Sequence, residues 1–336
     1  MKNILLLFLL LVGLTAQAQN VLRVNNTVGV NAPFTTLASA ISAAGVNDII
    51  MVEGSVVNYG VVTITKKVTL VGPGYFLNEN LGLQASVIPA SITSITLNAG
   101  SDGSSFSGLT LNGSAVTDAL TINGISNVVL SNCYLTDRLV LTGTATNFAA
   151  IGNYFSNPIN AFTATFTGSI FTNNFIVGNF VNVASSPFTV TNNVITGNNS
   201  AMSGNELINS DVRNNIFTGS APIFNGTGSL FKNNVFAATG VAASVILDGT
   251  NMLSAVLANI FLGLAGNTTD TQWKLKSGSP AIGFGESGVD CGMYGGGTPY
   301  RISGIKVGQP TITNFSSPAS IQQNILLNVK VSAKVN

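Results

Sequence analysis

The sequence contains no histidine, and charged residues are scarce: 13 are basic and 12 are acidic in a chain of 336. Catalytic arrangements that depend on an imidazole are therefore excluded. With only two cysteines, a Cys/His zinc site is excluded as well. The formal net charge of +1 provides no attraction for nucleic acid or for an anionic membrane surface. We expect no nucleic-acid partner.

Long hydrophobic runs are also missing after the first residues, so we expect no membrane span. Lys2 precedes an apolar stretch over residues 4–14, and Ala16-Gln17-Ala18 has the form of a cleavage site. This pattern predicts a secretory signal peptide over residues 1–18. We expect a secreted protein, located in the periplasm or outside the cell.

What the sequence does contain is a repeated phrase of the form apolar, any, Asn, Asn, any, apolar. Clear copies begin at Phe171, Val190, Val212 and Phe231, and degraded copies begin at residues 106, 130, 150 and 256. Successive copies are 24, 20, 21, 19, 22, 19 and 25 residues apart. A period near twenty in a chain rich in Gly, Asn, Ser and Thr predicts a stacked solenoid.

The phrase itself predicts how each coil is held. Its two apolar positions would form internal ladders, and asparagine tolerates the left-handed backbone of a sharp bend. A stacked amide can donate to one neighbouring coil and accept from the other. We interpret the second asparagine as a structural ladder rather than a binding site. Its members are Asn153, Asn174, Asn193, Asn215, Asn234 and Asn259.

Cys133 stands in this asparagine slot, 158 residues before Cys291. An exported chain can oxidise such a pair, and a stacked core can equally bury two free thiols. Both interpretations remain open from the sequence.

One helix is expected before the repeats. Phe34, Leu37 and Ile41 follow helical spacing, Thr35 or Thr36 can cap the start, and Gly45 can provide a left-handed stop. Such a helix would cover the open end of the first coil and its unpaired edge.

The same segment resembles a known family. The spacing of Phe34, Leu37 and Ile41, continued by Asp48 and Val52, resembles the opening of right-handed parallel β-helix proteins of the pectin-lyase-like superfamily. Residues 273–283 and 290–296 resemble the closing phrase of secreted β-helix proteins of the Bacteroidetes type. The resemblance implies an all-β fold with three-strand coils of about 20–22 residues and an N-terminal capping helix.

These patterns divide the chain into consecutive segments. We expect a signal peptide over 1–18, a cap with the first coils over 19–72, repeats over 73–262, a closing segment over 263–304 and a tail over 305–336.

The Asp-Asp and His-Gly motifs of hydrolases in that superfamily are absent, so candidate chemistry is sparse. Asp118 and Asp137, 19 residues apart, would lie in adjacent coils beside Arg138. Three interpretations remain open: a catalytic carboxylate pair, a weak Ca²⁺ site, or solvated turn residues. Arg213 and Lys232 share a repeat position that predicts a solvated outer rung, with a lyase base as its alternative.

The residue after each asparagine pair should face outward if its neighbours face inward. This position carries Tyr134, Tyr154 and Phe175, followed by aliphatic residues. Such an apolar stripe needs a cover or a partner. The tail is the cover we favour; a groove where sugar rings stack on these three residues is the second interpretation, and a wrong facing assignment is the third.

We therefore predict a secreted non-catalytic β-helix protein that serves as an extracellular scaffold or adhesin or binds glycan. The alternative is a polysaccharide lyase or glycoside hydrolase that uses Asp118, Asp137 and Arg138. We expect a monomer without a cofactor, apart from the Ca²⁺ interpretation, and an extracellular polysaccharide or cell-surface partner.

Overall fold

The computed structural model describes residues 19–157, 159–160, 165–178, 180–181, 187–196, 209–219, 227–240, 246–305, 308, 310–318, 320 and 326–335. The predicted signal peptide over 1–18 lies outside these residues. Within them, no helix is long and apolar enough to cross a membrane.

Three parallel sheets form the described solenoid, and the coils between residues 91 and 181 contribute one short strand to each of them. Sheet 1 has 11 described strands: Val21–Val24, Ile49–Val52, Thr69–Val71, Ser105–Ser107, Val129–Ser131, Ala149–Ile151, Ser169–Thr172, Phe188–Thr191, Asp211–Arg213, Leu230–Lys232 and Ile246–Leu247. Sheet 2 has eight described strands: Ser91–Ile92, Thr110–Leu111, Tyr134–Leu135, Tyr154–Phe155, Phe175–Ile176, Val194–Ile195, Ile216–Phe217 and Val235–Phe236. Sheet 3 has six: Val61–Ile64, Ser94–Leu97, Leu120–Asn123, Leu139–Thr142, Ile159–Asn160 and Phe180–Val181. The expected parallel β-helix with three strands per coil is confirmed.

The register of the strands stacks like positions on one another. In sheet 1, Leu130 lies between Phe106 and Ala150, and in sheet 2, Leu135 lies between Leu111 and Phe155. These side chains are fully buried, and they form the interior together with the inward residues of sheet 3. The two apolar positions of the phrase therefore build the core as predicted.

The last predicted copy of the phrase, at residues 256–261, is wrong. Val256 is exposed, and Asn259 ends a 3₁₀-helix over Leu257–Asn259 instead of occupying a bend. The final coil is shorter than the period predicts, and Asn251 takes the position expected for Asn259. Phe261 accordingly packs on Trp273, outside the solenoid core.

The capping helix spans Leu37–Ala43 and buries Leu37, Ala40 and Ile41 against the first strands. Thr36 caps it, and its hydroxyl accepts the Ser39 N–H at 3.2 Å. The predicted left-handed stop at Gly45 is wrong, because the positive φ of 73° falls at Asn47. The Gly45 N–H instead bonds the Asp48 carboxylate at 2.7 Å, which shapes the turn without a left-handed glycine.

Three further parts complete the described chain. The short strands Thr144–Thr146 and Thr165–Thr167 pair in parallel. The closing segment, residues 263–304, contains 3₁₀-helices at Thr271–Trp273, Glu286–Gly288 and Ile302–Gly304. The tail hairpin pairs Pro310–Ser316 with Lys330–Val335 in antiparallel fashion.

Candidate functional site

The second asparagine of each phrase points into the solenoid and forms a continuous hydrogen-bonded ladder. Asn174 Oδ1 accepts the Asn153 backbone N–H at 2.8 Å and the Asn153 side-chain amide at 3.0 Å. Asn174 Nδ2 donates to Asn193 Oδ1 at 3.0 Å and to the Ala150 carbonyl at 2.9 Å. The same pattern continues through Asn215, Asn234 and Asn251. Because the ladder is fully buried from Asn153 to Asn234 and its amides are satisfied, it offers no groups to a ligand.

The first asparagine of the phrase has a different role, because it faces the closing segment. Asn173 Nδ2 donates to the carbonyls of Met293 at 3.0 Å and Gly295 at 2.6 Å. Other outward asparagines continue this column: Asn192 bonds the Asp290 carbonyl, Asn214 accepts the Glu286 N–H, and Asn233 bonds the Phe284 carbonyl. Their φ values of 52–58° place the amides outside the bend. The column attaches the closing segment along the solenoid.

The aromatic stripe after the asparagine pairs lies on the outer face of sheet 2, as the facing rule predicts, but most of it is covered. Tyr154 and Phe175 are 6% and 2% exposed, and their rings stack at 4.3 Å. Trp273 lies 4.6 Å from Phe175, and Phe76 lies 5.1 Å from Tyr154 and 4.7 Å from the partly buried Tyr134. Sugar rings therefore have no access to the faces of Tyr154 and Phe175.

The prediction that the C-terminal tail covers this stripe is wrong. Met293, Tyr300 and Ala281 of the closing segment pack on it, together with Tyr75. The tail hairpin lies elsewhere and is largely exposed. The asparagine column explains the difference, because it supplies matching polar partners for the closing segment along the same corner.

Asp270 is the buried polar centre of this covered region. Its Oδ1 accepts the Thr268 hydroxyl at 2.8 Å and the Asn80 amide at 3.2 Å, and its Oδ2 accepts the Ser303 N–H at 2.8 Å. Nearby, the hydroxyls of Tyr75 and Tyr300 bond at 2.8 Å, and burial raises the pKa of both phenols well above the ordinary value. These contacts join the loop that follows the strand Thr69–Val71 to the closing segment. Asp270 therefore has a structural role.

The structure brings the predicted carboxylate pair and its arginine together. Arg138 Nη2 lies 2.7 Å from Asp118 Oδ1, and Arg138 Nε lies 3.9 Å from Asp137 Oδ1. The Asp137 carboxylate also accepts the Arg138 backbone N–H at 2.7 Å, the contact of a turn residue. The described residues include no group of three histidine, cysteine or acidic side chains placed to hold a metal. Catalysis or Ca²⁺ binding at this cluster stays a prediction.

The same engagement extends to the other acidic residues. Of the 12 acidic residues in the sequence, Glu206 lies outside the described residues. Each of the other 11 accepts a hydrogen bond from another residue of the chain or forms an ion pair with one. They are Asp48, Glu53, Glu79, Asp102, Asp118, Asp137, Asp211, Asp248, Asp270, Glu286 and Asp290. Their contacts fix turns, corners and segment docking.

Arg213 and Lys232 lie on adjacent strands of sheet 1, as the repeat predicts, but they are paired. Lys232 Nζ lies 2.9 Å from Glu286, Arg213 also bonds Glu286, and Arg213 lies 2.5 Å from Asp211. Hydrogen bonds from Lys232 and then Arg213 lower the pKa of Glu286. Because Glu286 belongs to the closing segment, this cluster is a further attachment point.

Both cysteines are buried free thiols, so the disulfide alternative is wrong for this structure. Burial raises the pKa of the Cys133 and Cys291 thiols to about 12.

An open cleft of about 570 Å³ lies between the first strands of sheet 1 and the tail hairpin. Val21 and Met51 line it from the sheet, and Ile312 and Phe315 line it from the hairpin. Phe315 is 59% exposed, so this aromatic face is accessible, unlike those of the covered stripe.

An ion pair supplies the charged groups of the cleft. Arg23 Nε and Nη2 each lie 2.6 Å from Glu53 Oε1, and Asn25 donates to Glu53 Oε2 at 3.1 Å. Arg23, Asn25 and Glu53 were not predicted as site residues from the sequence. The sequence gives only a weak indication of this ion pair, because Arg23 and Glu53 are 30 residues apart. They come together because the strands Val21–Val24 and Ile49–Val52 are neighbours in sheet 1.

A second cavity of about 430 Å³ shares Ile305 with this cleft. Lys274 and Arg301 line it together with Tyr294 and Tyr300, and Lys274 Nζ lies 5.6 Å from the centre of the Tyr294 ring. Its lining is basic, whereas the charges in the larger cleft cancel.

Comparison with known structures identifies the same fold. The crystal structure of pectate lyase Pel9A superposes with a TM-score of 0.50 at 14% identity, covering 83% of this chain and 97% of that chain. Pectin methylesterase from Aspergillus niger in its deglycosylated form reaches a TM-score of 0.37 at 15% identity, covering 78% and 91% of the two chains. The lid-free DFA-IIIase from Arthrobacter chlorophenolicus reaches 0.34 at 13% identity, covering 68% and 92%.

No protein-family model matches the chain, and no curated protein matches it either. The likeness to pectate lyase confirms the β-helix fold implied by the resemblance to the pectin-lyase-like superfamily. At this identity the likeness shows the fold and not an activity.

Proposed function

We propose that the chain is a secreted, non-catalytic β-helix protein that binds an extracellular glycan and acts as a scaffold or adhesin. The observation that carries the non-catalytic part is the engagement of all 11 described carboxylates by their own chain. General acid, general base and nucleophilic roles are carried out by carboxylates that are positioned for the substrate. Here the carboxylates hold turns and attached segments.

The glycan part of the proposal has two supports. The fold is one that a pectate lyase uses, so its long lateral surface is compatible with a polysaccharide chain. The cleft of about 570 Å³ also has the size of a ligand site, since such sites occupy roughly 300–1,000 Å³. A rigid solenoid with an open cleft suits a module that holds a polymer.

The alternative function is a polysaccharide lyase or hydrolase, and the Asp118–Arg138 pair favours it. The pair joins adjacent coils, and the Arg138 side chain is 49% exposed, so a substrate could reach it. This geometry also fits a solvated corner, and Asp137 is committed to the local turn.

A turnover assay combined with a glycan array separates the two functions. We expect retention of one or more glycans and no product from uronate or neutral polysaccharides, with Ca²⁺ or with EDTA. Turnover that disappears in Asp137→Asn or Asp118→Asn would establish the enzyme instead. Activity that requires Ca²⁺ and is lost in the double variant would assign the cation to these carboxylates.

A further inference from the structure

We infer that the glycan site is the cleft between sheet 1 and the tail hairpin, and that it takes a neutral oligosaccharide. This inference rests on the proposed function and adds its location and ligand class. The covered stripe is unsuited because Tyr154 and Phe175 are buried under the closing segment. The cleft instead presents an aromatic face and a fixed polar pair on opposite walls.

The hairpin wall of the cleft is mostly apolar, because Pro310, Ile312 and Phe315 line it together with Thr311. In the antiparallel register Ile312 pairs with Ala333 and Phe315 pairs with Val331. Ile312 and Phe315 are 50% and 59% exposed across the gap from Val21, which is 60% exposed. An occupant with flat apolar faces, such as a pyranose ring, would bury surface on both walls.

The polar wall can serve hydroxyl groups. Arg23 has five N–H donors and directs only part of them to Glu53, whose oxygens retain acceptor capacity. Asn25 also holds Glu53, so the pair is oriented before a ligand arrives. Fixed donors and acceptors beside an apolar surface are the combination expected of a small-molecule site.

The charge of the lining selects between glycan classes. Arg23 and Glu53 are the charged residues of the cleft lining, and their charges cancel. A uronate would place its carboxylate near Glu53 and compete for Arg23, so a neutral sugar fits better. The basic cavity with Lys274 and Arg301 provides the opposite preference within the same molecule.

Titration calorimetry with cellohexaose and with galacturonohexaose tests the inference on the full chain. Phe315→Ala should weaken cellohexaose binding about tenfold, the scale of one lost stacking contact. Phe315→Tyr keeps the ring and should bind within about twofold of the parent. Arg23→Gln combined with Glu53→Gln keeps the charge neutral and should also weaken binding about tenfold.

Leu326→Ala is the matched control, because Leu326 is 90% exposed in the same tail and does not line the cleft. Cellohexaose binding that none of the cleft variants changes would overturn the location and leave the proposed function intact. Tighter binding of galacturonohexaose, lost in Lys274→Met with Arg301→Met, would overturn the ligand class. No glycan binding in calorimetry or on the array would overturn both proposals.

Discussion

At the residue scale, adjacent asparagines in one phrase carry out two different tasks. In the pair Asn192-Asn193, the first residue has a φ of 55° and turns its amide toward the closing segment. The second points inward, where its amide donates to the Phe171 carbonyl and to Asn215 Oδ1. These partners satisfy the buried amide in place of water. The alternation follows from the bend, which directs neighbouring side chains to opposite sides.

Asn193→Ala should show how much the ladder contributes to stability. The change removes the acceptor for the Asn174 N–H and amide, and the donor for the Phe171 carbonyl. Because these groups are buried, we expect a loss of about 3 kcal/mol in the free energy of unfolding. Denaturant titration measures it. Asn123→Ala, at an exposed asparagine, should change stability by less than about 0.5 kcal/mol, and equal effects would argue against the ladder.

The free thiols give a second prediction at this scale. Burial raises the pKa of Cys133 and Cys291 to about 12, so little reactive thiolate exists at pH 8 in the folded chain. A thiol reagent at pH 8 should modify neither cysteine in the native protein and both after unfolding in guanidinium. One or two rapidly modified thiols in the native protein would show that the closing segment or the coil that contains Cys133 opens readily.

The structural role of a residue could be predicted from the sequence where its partners recur at the repeat period. The ladder from Asn153 to Asn234 follows from a period that stacking preserves. Asn251 was missed because the last coil is only 17 residues long. A second corner with left-handed backbone, where Asn127 and Asn147 stack, was also not predicted. Glycine replaces asparagine there in other coils, so no single residue type repeats at this position.

At the element scale, the closing segment is the cover of the solenoid and the tail hairpin is not. The facing rule identified an apolar stripe on sheet 2 but could not identify its partner, because the contacts span large separations. Asn173 bonds Met293 across 120 residues, and Tyr75 bonds Tyr300 across 225. No periodic signal connects positions so far apart, so proximity to the chain end was a poor guide.

Two truncations distinguish the covers. A chain ending at residue 262 lacks the closing segment and would expose the stripe that includes Phe175 and Val194. Because exposed apolar patches of this kind associate, it should bind a hydrophobic dye and elute as aggregate in size-exclusion chromatography. A chain ending at residue 305 lacks only the exposed hairpin and should elute as the full chain does. Aggregation of the second chain would mean that the hairpin protects the fold.

At the scale of the whole molecule, the titratable groups divide the structure into two parts. Tyr300 and Cys291 of the closing segment are buried, as is Tyr75, which packs against it, and burial raises the pKa of each. The described coils from Asn174 to Asn251 are instead filled by aliphatic side chains, phenylalanine and asparagine, which do not titrate. The two parts should therefore respond differently to alkali.

A group whose pKa is raised by folding stabilises the fold fully below its unfolded pKa and loses that contribution as the pH rises toward the folded value. For Cys291 the window runs from 9.0 to about 12, and the buried tyrosines extend it upward from 10.0. Alkali should thus release the closing segment before the coils from Asn174 to Asn251 unfold. Trp273, packed between Phe175 and Phe261, reports this release by a red shift of its fluorescence.

We expect the Trp273 transition at a lower pH than the loss of the β-sheet signal in circular dichroism. Cys291→Ala removes one titrating group from the closing segment and should move the fluorescence transition to higher pH. Cys133→Ala is the matched control in the coils, where Cys133 donates its backbone N–H to Asn153 and its side chain can be shortened without losing that bond. Coincident transitions in all three proteins would mean that the closing segment and the solenoid unfold as one cooperative unit.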